Sequence, residues 1–247
     1  MKPSSSLALH ATPKALLGWA AAPCVATALV LAVALSTLVT GCASGPPAPA
    51  WQADAKGALD RAAVAWLHGD TPLHDAELAR ARAAVSATGR AELAARVELF
   101  DCALRVASLA FEPCARFDAL RGDAATPEHA YADHLAGLAI AREAIALLPP
   151  AQQGVATARA GNGATLATVQ SIDDPLSRLI ATAVLFRSDQ ASPAMIELAA
   201  DTASSQGWRR PLLAWLEVQA LRAEKAGDAA TLAALRRRIA LVASGLR

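Results

Sequence analysis

The sequence predicts an all-α protein, and three features of its 247 residues support that fold class. Hydrophobic residues make up 54% of the chain but aromatic residues only 4%, which argues against a β-sandwich or barrel. Alanine, the residue with the highest helix propensity, dominates the composition. Apolar residues recur at steps of three and four along most of the chain, which is the spacing of one helix face. The fold is predicted to be either a helical hairpin array or an irregular helical bundle.

Residues 1–41 have the pattern of a secretory signal rather than of a folded element. Lys2 and Lys14 accompany an almost wholly apolar run over residues 16–39, and small residues follow it. Val39-Thr40-Gly41 directly before Cys42 resembles the lipobox of bacterial lipoproteins. The resemblance implies that the signal is removed before Cys42 and that this cysteine becomes the lipidated N-terminus.

An uncleaved transmembrane helix is the alternative interpretation of residues 16–39, since about 20 apolar residues suffice to span a bilayer. Ala43 follows the cysteine where some lipoproteins of enteric-type bacteria have aspartate. In that family, alanine implies transport to the outer membrane, with the domain facing the periplasm. Residues 42–50 are rich in proline and alanine and predict a flexible tether between the lipid and the domain.

An N-terminal helical half is predicted over residues 51–158. Its first helix ends near residues 68–72, its second runs to about Ala87, and its fourth runs from Thr126 to Leu148. The stripe of the first helix consists of Ala55, Leu59, Ala62 and Trp66. The seam of the third helix consists of Leu93, Val97, Phe100, Leu104, Ala107 and Phe111.

Cys102 and Cys114 are the two cysteines that remain once the signal and the lipidated position are set aside. An even pair in an oxidising compartment predicts a disulfide, and two separately buried thiols are the alternative. A helix that continued through Phe111 would hold the two cysteines too far apart for a bond. The disulfide therefore requires the helix to end near Ala107 and the chain to turn back around Pro113.

A linker loop is predicted over residues 159–172, where Ala160-Gly161-Asn162-Gly163 favours a turn. A C-terminal helical half follows over residues 173–247, with helices that begin near Pro175, Pro193, Pro211 and Asp228. Residues 220–228 resemble the turn region of a tetratricopeptide repeat, although the full repeat signature is missing. The resemblance implies a solenoid of stacked helical hairpins.

The sequence predicts no catalytic residue, metal ligand or cofactor site, and we do not expect an enzyme. His68 and His74 are interpreted as solvated turn residues. His129 and His134 are five residues apart, about 140° around a helix, so they cannot both face one ion. Two basic clusters are candidate contacts for an acidic partner or for phospholipid headgroups, with solvated helix ends as the alternative. Their residues are Trp208, Arg209, Arg210, Arg236, Arg237 and Arg238.

The predicted function is that of an outer-membrane lipoprotein whose helical domain binds or scaffolds envelope proteins. Stacked hairpins offer concave surfaces, and a tether to the membrane through Cys42 lets a modest affinity suffice. One alternative is a cell-wall or lipid-directed enzyme or accessory, with a cleft lined by residues such as His129, Asp133 and His134. Another is a carrier of an apolar ligand inside the helical bundle, which a closed cavity would favour and a filled core would weaken. The net charge of +1 argues against a nucleic-acid partner.

Overall fold

The computed structural model describes residues 49–161 and 163–245. Within these residues it contains twelve α-helices, one 3-10 turn and no β-strand, so the predicted all-α fold class is confirmed. Ala50, the last residue of the predicted tether, is the first residue of a helix. Cys42 lies outside the described residues, and its lipidation therefore stays a prediction.

Long helices lie at both ends of the described part of the chain, and the shortest segments lie in its middle. The first group is α1 (Ala50–His68), α2 (Thr71–Ser86), α3 (Ala91–Ala107), α4 (Ala115–Asp118), the 3-10 turn (Arg121–Asp123), α5 (Thr126–Leu135) and α6 (Arg142–Ile145). The second group is α7 (Pro150–Ala160), α8 (Leu166–Gln170), α9 (Pro175–Arg187), α10 (Pro193–Ser205), α11 (Arg209–Ala226) and α12 (Ala229–Ser244).

Short polar side chains fix where several of these helices begin. Each accepts a hydrogen bond from the backbone N–H three positions ahead, and a cap of this kind contributes about 1 kcal/mol. The capping residues of α2, α9, α10 and α12 are Asp70, Asp174, Ser192 and Asp228. At the other end, α1 and α11 stop at Gly69 and Gly227, whose left-handed backbone suits glycine.

One hydrophobic core joins the two predicted halves. Leu99 of α3, Leu179 of α9 and Trp215 of α11 belong to the same buried cluster. The described residues belong to a single compact unit. The boundary predicted at residues 159–172 therefore does not separate two structural units, because helices from both sides bury their apolar faces against each other.

Two predicted elements differ in the structure. The fourth predicted helix breaks after α5, where Gly137 adopts a φ of 75° that an L-residue with a side chain rarely takes. The predicted linker loop contains α8, because the Thr165 hydroxyl accepts a hydrogen bond from the Thr168 N–H and starts a helical turn. At both positions the local backbone and hydrogen-bond preferences, rather than the hydrophobic spacing, determine where the helix ends or begins.

A disulfide joins Cys102 of α3 to Cys114, and the two Cα atoms are 5.9 Å apart. The helix α3 ends at Ala107, where the sequence required it to end for such a bond. Leu109 then takes a left-handed φ of 57° and turns the chain back toward α4. Phe111, which the sequence pattern placed on the seam of the third helix, lies beyond its end.

The last helix, α12, contains no fully buried residue among those described. Leu235, Ile239 and Val242 are partly buried and pack against the main core. Leu241 points to solvent with 74% of its surface exposed. Thus α12 covers the edge of the core formed by α11 without being enclosed itself.

Candidate functional site

An apolar groove of about 560 Å³ lies between α3, α5, α9 and the segment that leads into α7. Helices α3 and α9 supply most of its apolar lining. The main apolar side chains are Leu99, Phe100, Leu104, Leu148, Leu176 and Ile180. Small-molecule sites are concave and mostly apolar, with volumes of roughly 300–1,000 Å³. The groove has the size and lining of a site for one small apolar molecule.

Exposed residues at the edge of the groove come from two segments. Pro127 belongs to the first turn of α5, while Leu147, Pro149 and Pro150 lie between α6 and the start of α7. Proline fixes its own φ and restricts the residue before it, so the backbone at this edge has little freedom.

Four residues with polar side chains also line the groove, and Glu128 is the most deeply buried of them; the others are Arg96, Tyr131 and Ser177. Only 7% of its side chain is exposed, whereas the side chain of Arg96 is 59% exposed. Glu128 Oε1 accepts a hydrogen bond from Arg96 Nε. Glu128 Oε2 is buried and has no hydrogen-bond partner among the described residues. An unmatched buried acceptor costs about 1–3 kcal/mol, which a donor brought by a ligand would remove.

A series of hydrogen-bonded polar groups lies behind this lining. The Gln152 side chain donates from Nε2 to the Ser177 carbonyl at 2.9 Å, and its Oε1 lies 3.2 Å from His134 Nε2. Because an amide oxygen only accepts, the proton of His134 sits on Nε2. Burial lowers the pKa of His134 to about 4, so its ring is neutral at pH 7. The ring of Tyr131, which lines the groove, stacks on His134 with centroids 6.4 Å apart.

The pKa of His134 makes the stability of the domain sensitive to mild acid. The folded-state value of about 4 lies below the ordinary value of 6.5, so between these limits the unfolded chain binds more protons than the folded one. We expect the free energy of unfolding to fall as the pH drops from 6.5 to 4, by about 3 kcal/mol in total. Urea denaturation at half-unit pH steps measures this loss.

The matched variants for the acid experiment are His134→Gln and His68→Gln. The first removes the buried ring and should flatten the pH dependence between 6.5 and 4, whereas the second changes an exposed histidine and should leave the slope in place. The lowered pKa values of Glu77, Glu92 and Asp101 add a further loss of stability, which begins as the pH approaches the ordinary glutamate value of 4.5 and is common to all the variants. An unchanged slope in His134→Gln would contradict the assignment.

His74 corrects one sequence-based prediction. It was expected to be a solvated turn residue, but it is fully buried. Its Nδ1 lies 3.0 Å from the Ala62 carbonyl oxygen, and its Nε2 lies 3.0 Å from Asp101 Oδ1. Both ring nitrogens thus lie within hydrogen-bond distance of a protein oxygen atom. Its helical turn is packed between α1 and α3, which a reading of local sequence does not reveal.

Asp101 holds this buried pair together. Burial acts to raise the pKa of Asp101, but hydrogen bonds from His74 and Arg105 outweigh it, so the pKa lies below its ordinary value. Arg105 donates from Nε to Asp101 Oδ2 at 2.9 Å. The cluster joins α2 to α3 through charged hydrogen bonds inside the domain.

Trp66 lies between two guanidinium groups close to the groove. The Cζ atoms of Arg210 and Arg105 are 3.9 and 4.8 Å from the ring centroid. The indole Nε1 donates to the Leu104 carbonyl at 3.0 Å and to Ser108 Oγ at 3.1 Å. Arg210 Nε also donates to the Trp66 carbonyl at 2.8 Å. Arg210, predicted as a contact for a partner or headgroup, is therefore engaged within the domain.

The other members of the two basic clusters lie in different environments. Trp208 is half-buried against the core near Trp66. Arg209 donates to the Gly245 carbonyl, and Arg236 lies 3.5 Å from Glu224. In α12, Arg237 is exposed and Arg238 is half-buried. A contact of this second cluster with a partner stays a prediction.

A second cavity, of about 490 Å³, lies beside the disulfide and has a largely charged lining. Arg82 makes two hydrogen bonds of 2.7 Å to Glu98. Arg105, which also lines this cavity, donates from Nε to Asp101 Oδ2. These opposite charges neutralise each other within the protein, so the cavity offers less to a ligand than the apolar groove does.

The residues suggested for an enzymatic cleft do not converge. His129 Nε2 lies 2.8 Å from the Arg121 carbonyl oxygen, and Asp133 lies 3.4 Å from the Arg121 guanidinium. His134 faces Gln152 in the core. Over residues 49–161 and 163–245, no three His, Cys, Asp or Glu side chains are grouped closely enough to hold a metal ion.

Glu128 is the residue that the sequence did not single out. It appeared there only as an acid in the first turn of a predicted helix, a position that acids commonly occupy. Its burial results from the packing of α5 against α3, on which Arg96 lies. No local pattern signals such a contact between residues 32 positions apart.

Comparisons with known proteins yield no relative: neither a family model, nor a curated protein, nor a solved structure matches this chain. Among the helices that the structure describes, none combines the length and the hydropathy needed to cross a bilayer.

Proposed function

We propose that the protein is a lipid-anchored binding module of the bacterial envelope that holds one small apolar molecule in its groove. The observation that carries this proposal is the groove itself, with its volume of about 560 Å³ and its apolar lining. Burying an apolar ligand there gains roughly 25 cal/mol for each Å² of apolar surface removed from water.

The proposed location comes from the sequence and from the disulfide. The pattern before Cys42 resembles a lipobox, and the bond between Cys102 and Cys114 suits an oxidising compartment such as the periplasm. The outer membrane as the final destination and a role as a scaffold for envelope proteins stay predictions. A groove on a tethered domain keeps its ligand close to the membrane surface.

Binding of diphenylhexatriene, a hydrocarbon whose fluorescence rises in apolar surroundings, tests the proposal. The described residues belong to one compact unit, so the chain from residue 48 onward is used for the titration. We expect saturable binding to one site per chain. The variant Ser177→Trp places a large side chain in the groove and should weaken binding by about tenfold or more, by loss of apolar contact.

Two further variants keep this test decisive. Ser204→Trp adds the same side chain at an exposed position of α10 and should change the affinity by less than about twofold. Leu147→Asp places a charge at the half-exposed edge of the groove, where folding depends little on it, and should also weaken binding. Equal affinity in all four proteins would place the probe elsewhere and overturn the proposal.

A further inference from the structure

The chemical class of the ligand follows from the one fully buried side-chain polar atom of the described groove residues that lacks a hydrogen-bond partner. Glu128 is more than nine-tenths buried, and its Oε2 has no hydrogen-bond partner among the described residues. The other oxygen is bonded to Arg96. A carboxylate oxygen accepts hydrogen bonds and cannot donate them, so the group that fits Oε2 is a donor.

The charges of Arg96 and Glu128 restrict the head group of the ligand further. Arg96 and Glu128 form an ion pair whose net charge is zero. A carboxylate or phosphate head would meet the negative Glu128, and an ammonium head would leave a net positive charge in an apolar setting. A hydroxyl or an amide N–H supplies the donor without adding charge. The apolar lining suits the hydrocarbon part of the same molecule.

We propose that the groove selects a neutral amphiphile, with the apolar chain along α3 and α9 and a hydroxyl or amide head that donates to Glu128. This inference rests on the proposed function, since it names the ligand class of the same groove. Glu128 acts as the residue that determines specificity, and Arg96 holds its carboxylate in place. A free fatty acid or another anionic head is disfavoured at Oε2 itself, where it would meet the negative charge of Glu128.

Displacement of diphenylhexatriene by three ligands of equal chain length tests the inference. Decanol has a neutral donor, decyl methyl ether has none, and decanoate is an anion. We expect decanol to displace the probe at concentrations about tenfold lower than the ether does, which is the ratio expected for one hydrogen bond to a charged acceptor. Decanoate should be weaker than decanol at pH 8.

The ratio between decanol and the ether is the readout in the variants. In Glu128→Leu it should fall to within about twofold, because the acceptor is gone. Glu128→Gln keeps an acceptor without the charge and should give a ratio between these limits. Glu143→Leu removes an exposed acid on α6 outside the groove and should leave the ratio unchanged.

The outcomes separate the two proposals. If wild type binds the probe and Ser177→Trp does not, but decanol and the ether are equivalent, the inference is overturned and the binding function stands. If decanoate is the preferred ligand, the charge argument is wrong. If the probe does not bind the groove at all, the proposed function fails before the choice of ligand is reached.

Discussion

Replacing Trp66 with alanine is expected to lower the free energy of unfolding by about 4 kcal/mol. The indole is 5% exposed, donates two hydrogen bonds from Nε1 and is packed between Arg105 and Arg210. Its removal leaves a cavity where α1, α3 and α11 meet, and Arg210 loses the ring that it covers. Urea denaturation monitored by circular dichroism gives the value.

Two further variants, Trp66→Phe and Trp51→Ala, serve as comparisons for the expected loss of stability. Trp66→Phe keeps an aromatic ring but loses the N–H, and should cost about 1–2 kcal/mol. Trp51→Ala changes a half-buried tryptophan in the first turn of α1 and should cost less than about 1 kcal/mol. A cost below about 2 kcal/mol for Trp66→Ala would show that this junction is not a centre of stability.

Removing His74 is the second change with a large expected effect. In His74→Leu the Asp101 carboxylate stays buried and keeps only Arg105, and the Ala62 carbonyl loses its contact with the imidazole ring. Breaking one side of a buried charged pair costs about 3–5 kcal/mol. We expect a loss of about 3 kcal/mol, since Arg105 still compensates part of the charge.

A double-mutant cycle separates the His74–Asp101 contact from the other effects of each change. His74→Leu combined with Asp101→Leu should cost less than the sum of the single variants, with a coupling of about 2 kcal/mol. Asp60→Ala removes a partner of the exposed Lys56 and should cost less than about 1 kcal/mol. Strict additivity of the two buried variants would contradict the hydrogen-bonded pair.

The long helices could be predicted because their apolar spacing is a local property of the chain. In the predicted stripe of α1, Ala55, Ala62 and Trp66 are buried, and Leu59 packs partly buried against the same hairpin. Capping signals gave the starts of α9 and α10 for the same reason. The broken helix after Leu135 was missed because Gly137 carries the backbone conformation there, and its neighbours are good helix formers.

The candidate site could not be predicted, because it is built from segments that are distant in sequence. The groove combines residues from about position 96 to position 180, and no pattern within one helix records that they meet. Glu128 and His74 look like ordinary surface residues until their neighbours are known. Chemistry at this site depends on which polar atoms the packing leaves without partners, and that is a property of the tertiary structure.

Because α12 is packed only at the surface of the core, its free energy of local opening is expected to be lower than that of the core helices. Because none of its described residues is fully buried, separating it from α11 exposes little apolar surface compared with opening the main core. Its backbone amides are therefore governed by a local opening reaction rather than by global unfolding, and they exchange hydrogen with solvent sooner than those of α3 or α9. We therefore expect the side of the domain that carries Arg236, Arg237 and Arg238 to open before the core helices α3 and α9, which line the groove.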